Sequence, residues 1–243
     1  SIILPEFYVT ELSDYALYQK ELNSKVDKIY DQSISLLHGM RKEYFADTLR
    51  VNCKVLPAKN IYNGILDYAD ELNPDLILLG EGEKLDKIRI GANAERVLRL
   101  TDLPVLVVKR NSKISKRKKV IFASDFLDDS VKVFSQVNEF LKDSNSSIRL
   151  LYINTKSKFE EYEVIKSRIE KFKKNFSADF SVVIRAGKSV EESIVRYANS
   201  IDADLISIGI KRKKKLSLYF TDRVTESVIS LSDIPVLAVN NPG

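Results

Sequence analysis

Three blocks of this sequence occur twice, in the same order. Ile65-Leu66-Asp67-Tyr68-Ala69 is matched by Ile194-Val195-Arg196-Tyr197-Ala198. Asp75-Leu76-Ile77-Leu78-Leu79-Gly80 is matched by Asp204-Leu205-Ile206-Ser207-Ile208-Gly209. Asp102-Leu103-Pro104-Val105-Leu106-Val107-Val108 is matched by Asp233-Ile234-Pro235-Val236-Leu237-Ala238-Val239. Asp204 lies 129 positions after Asp75, and Pro235 lies 131 after Pro104. Solenoid repeats run roughly 20–50 residues, so a period this long is a duplicated domain. The change in offset puts a two-residue length difference in the loop between the second and third blocks.

Each copy reads as alternating strands and helices. In the second, residues 120–124 are a short apolar run with β-branched members and predict a buried strand. Val131, Phe134, Val137, Phe140 and Leu141 recur at helical spacing over 128–141. Residues 148–153 predict a strand and 159–176 a helix with Val164, Ile165, Ile169, Phe172 and Phe176 on one face. A strand at 180–184 follows, then a helix capped by Ser189 that runs to about Ile201. A strand at 205–208, a helix at 221–231 and a strand at 236–239 complete the unit. Strands that are continuously apolar are covered on both faces, as in a parallel sheet sandwiched by helices. The expected fold is therefore α/β, two tandem doubly wound parallel-sheet domains.

The basic run Lys109, Arg110, Lys113, Lys116, Arg117, Lys118 and Lys119 holds no acid, and Asn111-Ser112 breaks the pattern. The division is accordingly 1–110, a basic linker at 111–118, and 119–243. The first unit has two readings. In one, 33–37 is its second strand, aligned with 147–151. In the other, 1–9 is that strand and 14–49 is mostly helix. Leu22, Val26, Ile29, Ser33, Leu36 and Met40 step by four and three, a stripe that favours the helix. That reading implies that the unit's first strand and helix are missing from this chain. Residues 50–56 predict a strand, with Cys53 a buried thiol between Val51 and Val55. Tyr8, Tyr15, Tyr18, Tyr30 and Tyr44 are expected to pack.

Composition narrows function. Apolar residues make up 44% of the chain and charged residues 30%, which is enough apolar side chain for real cores. The longest clean apolar runs, such as 105–108, are far below the roughly 20 residues that cross a bilayer. No signal-peptide pattern opens the chain, and no membrane insertion is expected. One cysteine excludes an intrachain disulfide and a cysteine-rich zinc site, and fits a reducing cytoplasm. One histidine, His38, excludes a His-rich metal centre and leaves nothing from which to argue a nucleophile–His–acid site. No metal and no catalytic residue is assigned.

The units resemble universal stress protein domains in tandem form. The resemblance is carried by Asp75–Gly80, Ala94-Glu95-Arg96-Val97-Leu98 and Pro104-Val105-Leu106-Val107-Val108-Lys109. In the second unit it is carried by the matching blocks and by Val120-Ile121-Phe122-Ala123-Ser124-Asp125-Phe126. It implies Rossmann-like domains, akin to adenine nucleotide alpha hydrolases, related by a pseudo-twofold axis. It also implies that strands 105–108 and 236–239 pair across that axis inside one chain. Nucleotide-binding members of the family carry Gly, two residues, Gly, nine residues, Gly and then Ser or Thr, in which backbone N–H groups and a hydroxyl meet phosphate. The first unit offers Gly80, Gly82 and Gly91 with one residue too few before Gly91, and Ala92 replaces the hydroxyl. The second keeps Gly209 but has Arg212, Asp222 and Arg223 at the other positions.

Asp125 and Ser124 end the first strand of the second unit, where binding members of the family touch nucleotide. They either order the turn into the next helix or line a ligand site. If ATP binds, the candidate contacts are Asp125, Ser124, Gly209, Gly80 and Gly91; no cofactor is otherwise expected. Lys211, Arg212, Lys213, Lys214 and Lys215 replace the phosphate loop with like charges. They read as a mobile solvated loop, or as an anion patch for nucleotide or an acidic partner. The interleaved aromatics of a single-strand nucleic-acid platform are missing, so no specific nucleic acid is expected. The expectation is a cytoplasmic binding and association module of the stress response. It would not be an enzyme, and it would pair its two domains, join further copies or recruit a protein partner. The alternatives are a nucleotide sensor using the second unit's cleft and a cytoplasmic regulatory domain of a membrane transporter.

Overall fold

The computed structural model describes residues 12–80, 91–109, 118–210 and 223–240. Lys211, Arg212, Lys213, Lys214, Lys215, Asp222 and residues 1–9 lie outside the described residues, with the expectations that fall on them. Two compact units are present, Ser1–Gly64 and Ile65–Gly243.

In the first unit, α1 (Leu12–Tyr44) runs as one helix through the disputed segment 33–37. The alternative strand at 33–37 is therefore excluded. Leu22, Ile29, Ser33 and Leu37 are half-buried, whereas Val26, Leu36 and Met40 of the predicted stripe are exposed, as are Tyr30 and Tyr44. Periodicity states which residues share a face, not what covers that face. The strand expected at 50–56 is not a strand. Val51, Cys53 and Val55 are half-buried and alternate with exposed Asn52, Lys54 and Leu56, but no ladder partner is found among the described residues. Alternation is local, whereas a strand also needs a neighbouring backbone. Cys53 is half-buried rather than buried, with its Sγ 3.6 Å from the Leu37 carbonyl oxygen. Helix α2 (Ile61–Leu72) follows and contains the division point.

The second unit gathers seven strands into one sheet. They are β1 (Ile77–Gly80), β2 (Val105–Val108), β3 (Lys118–Ala123), β4 (Ser146–Thr155), β5 (Ser181–Gly187), β6 (Leu205–Ile210) and β7 (Val236–Asn240). Their order is β1-β2-β7-β6-β3-β4-β5. Only β2 and β7 pair antiparallel, with Val105 opposite Ala238, Leu106 opposite Leu237 and Val107 opposite Val236. Every other neighbour is parallel. The expected pairing of the two final strands is thus present, centred on Leu106 and Leu237. The helices are α3 (Ala92–Leu100), α4 (Asp129–Leu141), α5 (Tyr162–Lys173), α6 (Val190–Ser200) and α7 (Arg223–Leu231). The expected helix at 159–176 is shorter, because Lys158, Phe159 and Glu160 form a strap before it. Ser189 does cap α6, its Oγ accepting from the Glu192 N–H at 3.2 Å.

The pseudo-twofold relation is built into side chains as well. Lys109 and its repeat equivalent Asn240 each follow a final strand and each reach into the other repeat. Lys109 Nζ donates to the Ile229 carbonyl in the last turn of α7 at 2.6 Å, and Asn240 Nδ2 donates to the Thr101 carbonyl that ends α3, also at 2.6 Å. Orphan carbonyls at helix ends are thereby satisfied. Lys109, expected within a basic run, is buried. Lys118 and Lys119 already belong to β3, because the Lys119 N–H and side chain are drawn onto Asp204 and the Ile201 carbonyl. Arg99 bridges the equivalent glutamates, with Nη2 2.5 Å from Glu95 and Nε donating to Glu226 at 3.0 Å.

On one face of β3 and β4, α4 and α5 close over an aromatic core. Phe122, Phe134 and Phe172 are fully or almost fully buried, with ring centroids 4.8 Å apart for Phe122–Phe134 and 5.3 Å for Phe134–Phe172. This core fixes the carboxyl ends of β3 and β4, and with them the walls of a cleft.

Candidate functional site

At the end of β3 the chain turns sharply into α4. Phe126 adopts φ of 54°, a left-handed conformation that is costly for a bulky residue. Burial offsets that cost: the Phe126 ring lies edge-on to Phe172 at 5.0 Å and to Phe122 at 6.1 Å. The same turn leaves Ser124 and Asp125 at the strand tip. Ser124 Oγ accepts from the Phe126 N–H at 3.0 Å and shares a 2.8 Å hydrogen bond with Ser130 Oγ. Asp125 Oδ1 accepts from the Leu127 N–H at 3.3 Å and faces the Ser130 hydroxyl at 3.4 Å. Both residues line the cleft while they hold its turn together.

The cleft encloses a cavity of about 560 Å³ at the carboxyl ends of β3, β4 and β6. That is the position at which parallel sheets hold ligands, and the size suits a small organic molecule. Its walls include Phe122, Val133, Leu151, Ile194 and Ile208; Val224, in the first turn of α7, and Ser130, in that of α4, also reach it. Gly209 lines it too, but for packing: a Cβ there would lie 3.1 Å from Val133 Cγ1, so glycine lets β6 and α4 approach. Gly80 ends β1 and Gly91 is the N-cap of α3. Neither lines the cavity, so among the described candidates the structure gathers Ser124, Asp125 and Gly209 and leaves the other two apart.

A polar cluster not foreseen from the sequence completes the wall. Arg168 on α5 donates from Nη2 to Glu160 Oε1 at 2.6 Å, and from Nη1 to Glu160 Oε2 at 3.0 Å and to the Asp125 carbonyl at 3.2 Å. The Tyr152 hydroxyl on β4 donates to Glu160 Oε2 at 2.5 Å. The Arg168 guanidinium and the Tyr152 hydroxyl hold the Glu160 carboxyl below its ordinary value, and Glu160 in turn raises Arg168. Burial, followed by the bond to Glu160, pushes the Tyr152 phenol up to about 12. One signal for Arg168 was present. It lies three residues after Ile165 and four before Phe172, so helical spacing puts a charge beside the core-facing stripe of α5.

Among the described residues no helix is long and apolar enough to cross a membrane, and no cluster of His, Cys, Asp and Glu is arranged to hold a metal ion. The model of the universal stress protein family matches residues 7–109 and again 116–240. A universal stress protein from Archaeoglobus fulgidus DSM 4304 is 20% identical and superposes with a TM-score of 0.66, covering 96% of this chain and 84% of its own. A functionally unknown protein from Pseudomonas aeruginosa PAO1 is 16% identical with a TM-score of 0.66, covering 85% of this chain and 76% of its own. No curated protein matches.

Proposed function

The chain belongs to the universal stress protein family, and we propose that within the stress response it works as a binding and association module, without nucleotide turnover. The observation that carries this reading is the state of the strand-tip polar groups. Ser124, Asp125 and Ser130 spend hydrogen bonds on one another and on the turn, beside a cavity of ligand size. The one histidine, His38, is an exposed residue of α1, so a base for turnover would have to be a cleft carboxylate. Asp125, the acid that faces the Ser130 hydroxyl, is instead engaged in the turn by the Leu127 N–H, which supports a reading without turnover. Association is already practised inside the chain, where β2 and β7 join the two repeats. A cytoplasmic protein partner is the natural extension.

Calorimetric titration with ATP and Mg²⁺ tests this. No saturation is expected below the millimolar range, which corresponds to roughly −4 kcal/mol, and no ADP is expected to form. One observation favours a second reading, a nucleotide sensor: the first turns of α4 and α7 both reach the cavity, where helix N-termini suit phosphate. A micromolar dissociation constant for ATP, weakened by changing Asp125, would establish the sensor instead.

A further inference from the structure

Glu160 is a carboxylate seated in a receptor made by other elements of its own chain. Arg168 presents two guanidinium nitrogens and Tyr152 its hydroxyl, together supplying three donors to the two Glu160 oxygens. An arginine fork with a phenol beside it is a complete carboxylate cradle. The Glu160 backbone is pinned separately: Asn154 Nδ2 donates to the Glu160 carbonyl at 2.7 Å, and the Glu160 N–H donates to Asn154 Oδ1 at 3.1 Å. The side chain can therefore swing out by rotation while the strap stays in place. Its side chain is already 34% exposed. The cradle opens on a cavity whose remaining wall is largely apolar, with Val133, Leu151, Ile194 and Ile208 inside and Leu127 and Phe159 at the mouth. Leu127 is 48% exposed and Phe159 66%, an uncovered apolar rim.

We propose that this cradle receives the carboxylate of an amphipathic acid, a small organic monoanion with an apolar body, and that Glu160 is its built-in competitor. The proposal rests on the reading of the cavity as a ligand site. Exchanging one carboxylate for another keeps the cradle's hydrogen bonds the same in number and kind, so the headgroup alone drives little binding. The driving force is burial of the apolar body, which short acids lack. Among the described residues that line the cavity, the carboxylates Asp125, Asp129 and Glu160 outnumber Lys158 and Arg168, which disfavours dianions such as phosphate esters. Tyr152 and Arg168 serve as binding residues, and Glu160 sets selectivity by holding their place.

The test is calorimetric titration of the full chain with sodium octanoate, with acetate and 1-octanol as comparators. Saturable octanoate binding is expected while acetate does not saturate at the same concentration; 1-octanol carries the same apolar body and binds too, but its affinity should not respond to Glu160→Gln, because it does not compete for the cradle. Glu160→Gln keeps the size and removes the competing charge, and should tighten octanoate about tenfold. Arg168→Gln should abolish binding and Tyr152→Phe should weaken it several-fold. If Arg168→Gln fails to fold, opposite responses of Glu160→Gln and Tyr152→Phe still decide. The proposal is overturned by equal octanoate affinity in the unaltered chain and all variants, by acetate binding as well as octanoate, or by no octanoate binding even in Glu160→Gln. Formation of ADP from ATP would sink the reading without turnover, whatever octanoate does.

Discussion

Replacing Gly187 by alanine places a methyl carbon in occupied space. Gly187 ends β5 where α6 begins to cross the sheet, and a Cβ built there lies 2.1 Å from Ser193 Oγ, 2.9 Å from Ser193 Cβ and 3.3 Å from Ile153 Cγ2. The Ser193 hydroxyl can rotate away only by giving up its 2.6 Å bond to the Ser189 carbonyl, about 1 kcal/mol. Ser193 Cβ cannot leave unless α6 moves, and overpacking of this kind costs about 1–3 kcal/mol. Alanine regains about 0.4–1 kcal/mol by restricting the unfolded chain. The net expectation is a loss of about 1–3.5 kcal/mol, read as a lower urea midpoint at unchanged slope. Ser193→Ala in the same chain removes the hydroxyl clash but not the 2.9 Å contact, so it should recover only part of the loss. Gly39 in α1 is the counter-case: a Cβ there meets nothing within 4 Å, and Gly39→Ala should add about 0.5–1 kcal/mol to the helix. A Gly187→Ala chain as stable as the parent would refute the close approach of α6 to β5.

Other consequences can be measured in the same way. Val107 is 2% exposed opposite Val236 at the junction of the repeats, so Val107→Asp should cost about 3–5 kcal/mol by burying an unpaired charge; a folded, cooperative variant with a parental midpoint would rule out the β2–β7 seam. Tyr152 should be a late-ionising member of the eleven tyrosines, so subtracting the Tyr152→Phe titration from the parent's phenolate absorbance should leave a step near pH 12. Because its folded value is raised above 10, its contribution to stability is complete below pH 10 and fades as pH climbs toward 12; a difference step at pH 10 would contradict both the burial of the phenol and its bond to Glu160. Glu160 has the opposite sign: its carboxyl is lowered, so its contribution is complete above the ordinary value of 4.5 and is lost as pH falls below it.

Much of the architecture was legible because duplication is information. Two apolar strands that differ only at Val107 and Ala238, 105–108 and 236–239, together with the family resemblance, pointed to a symmetric seam before any coordinate did. Helical steps of three and four carried α1 through 33–37, and the offset between Asp75 and Asp204 placed β1 and β6. Residues 50–56 show the limit of the same logic, since they alternate in burial as a strand should and form no ladder among the described residues.

The site was less legible. Position identified Ser124 and Asp125, but not that their oxygens hold the turn around Phe126, nor that Gly209 yields to Val133 rather than to a phosphate. Tyr152, Glu160 and Arg168 meet from a strand, a strap and a helix only after α5 docks on the aromatic core. By itself the sequence determined periodicity, repetition and charge, because these are properties of neighbours along the chain. Which backbone completes a strand, and which acid occupies an arginine, was decided by tertiary structure, because hydrogen bonds and ion pairs are settled by distances of about 3 Å between groups that the chain keeps far apart.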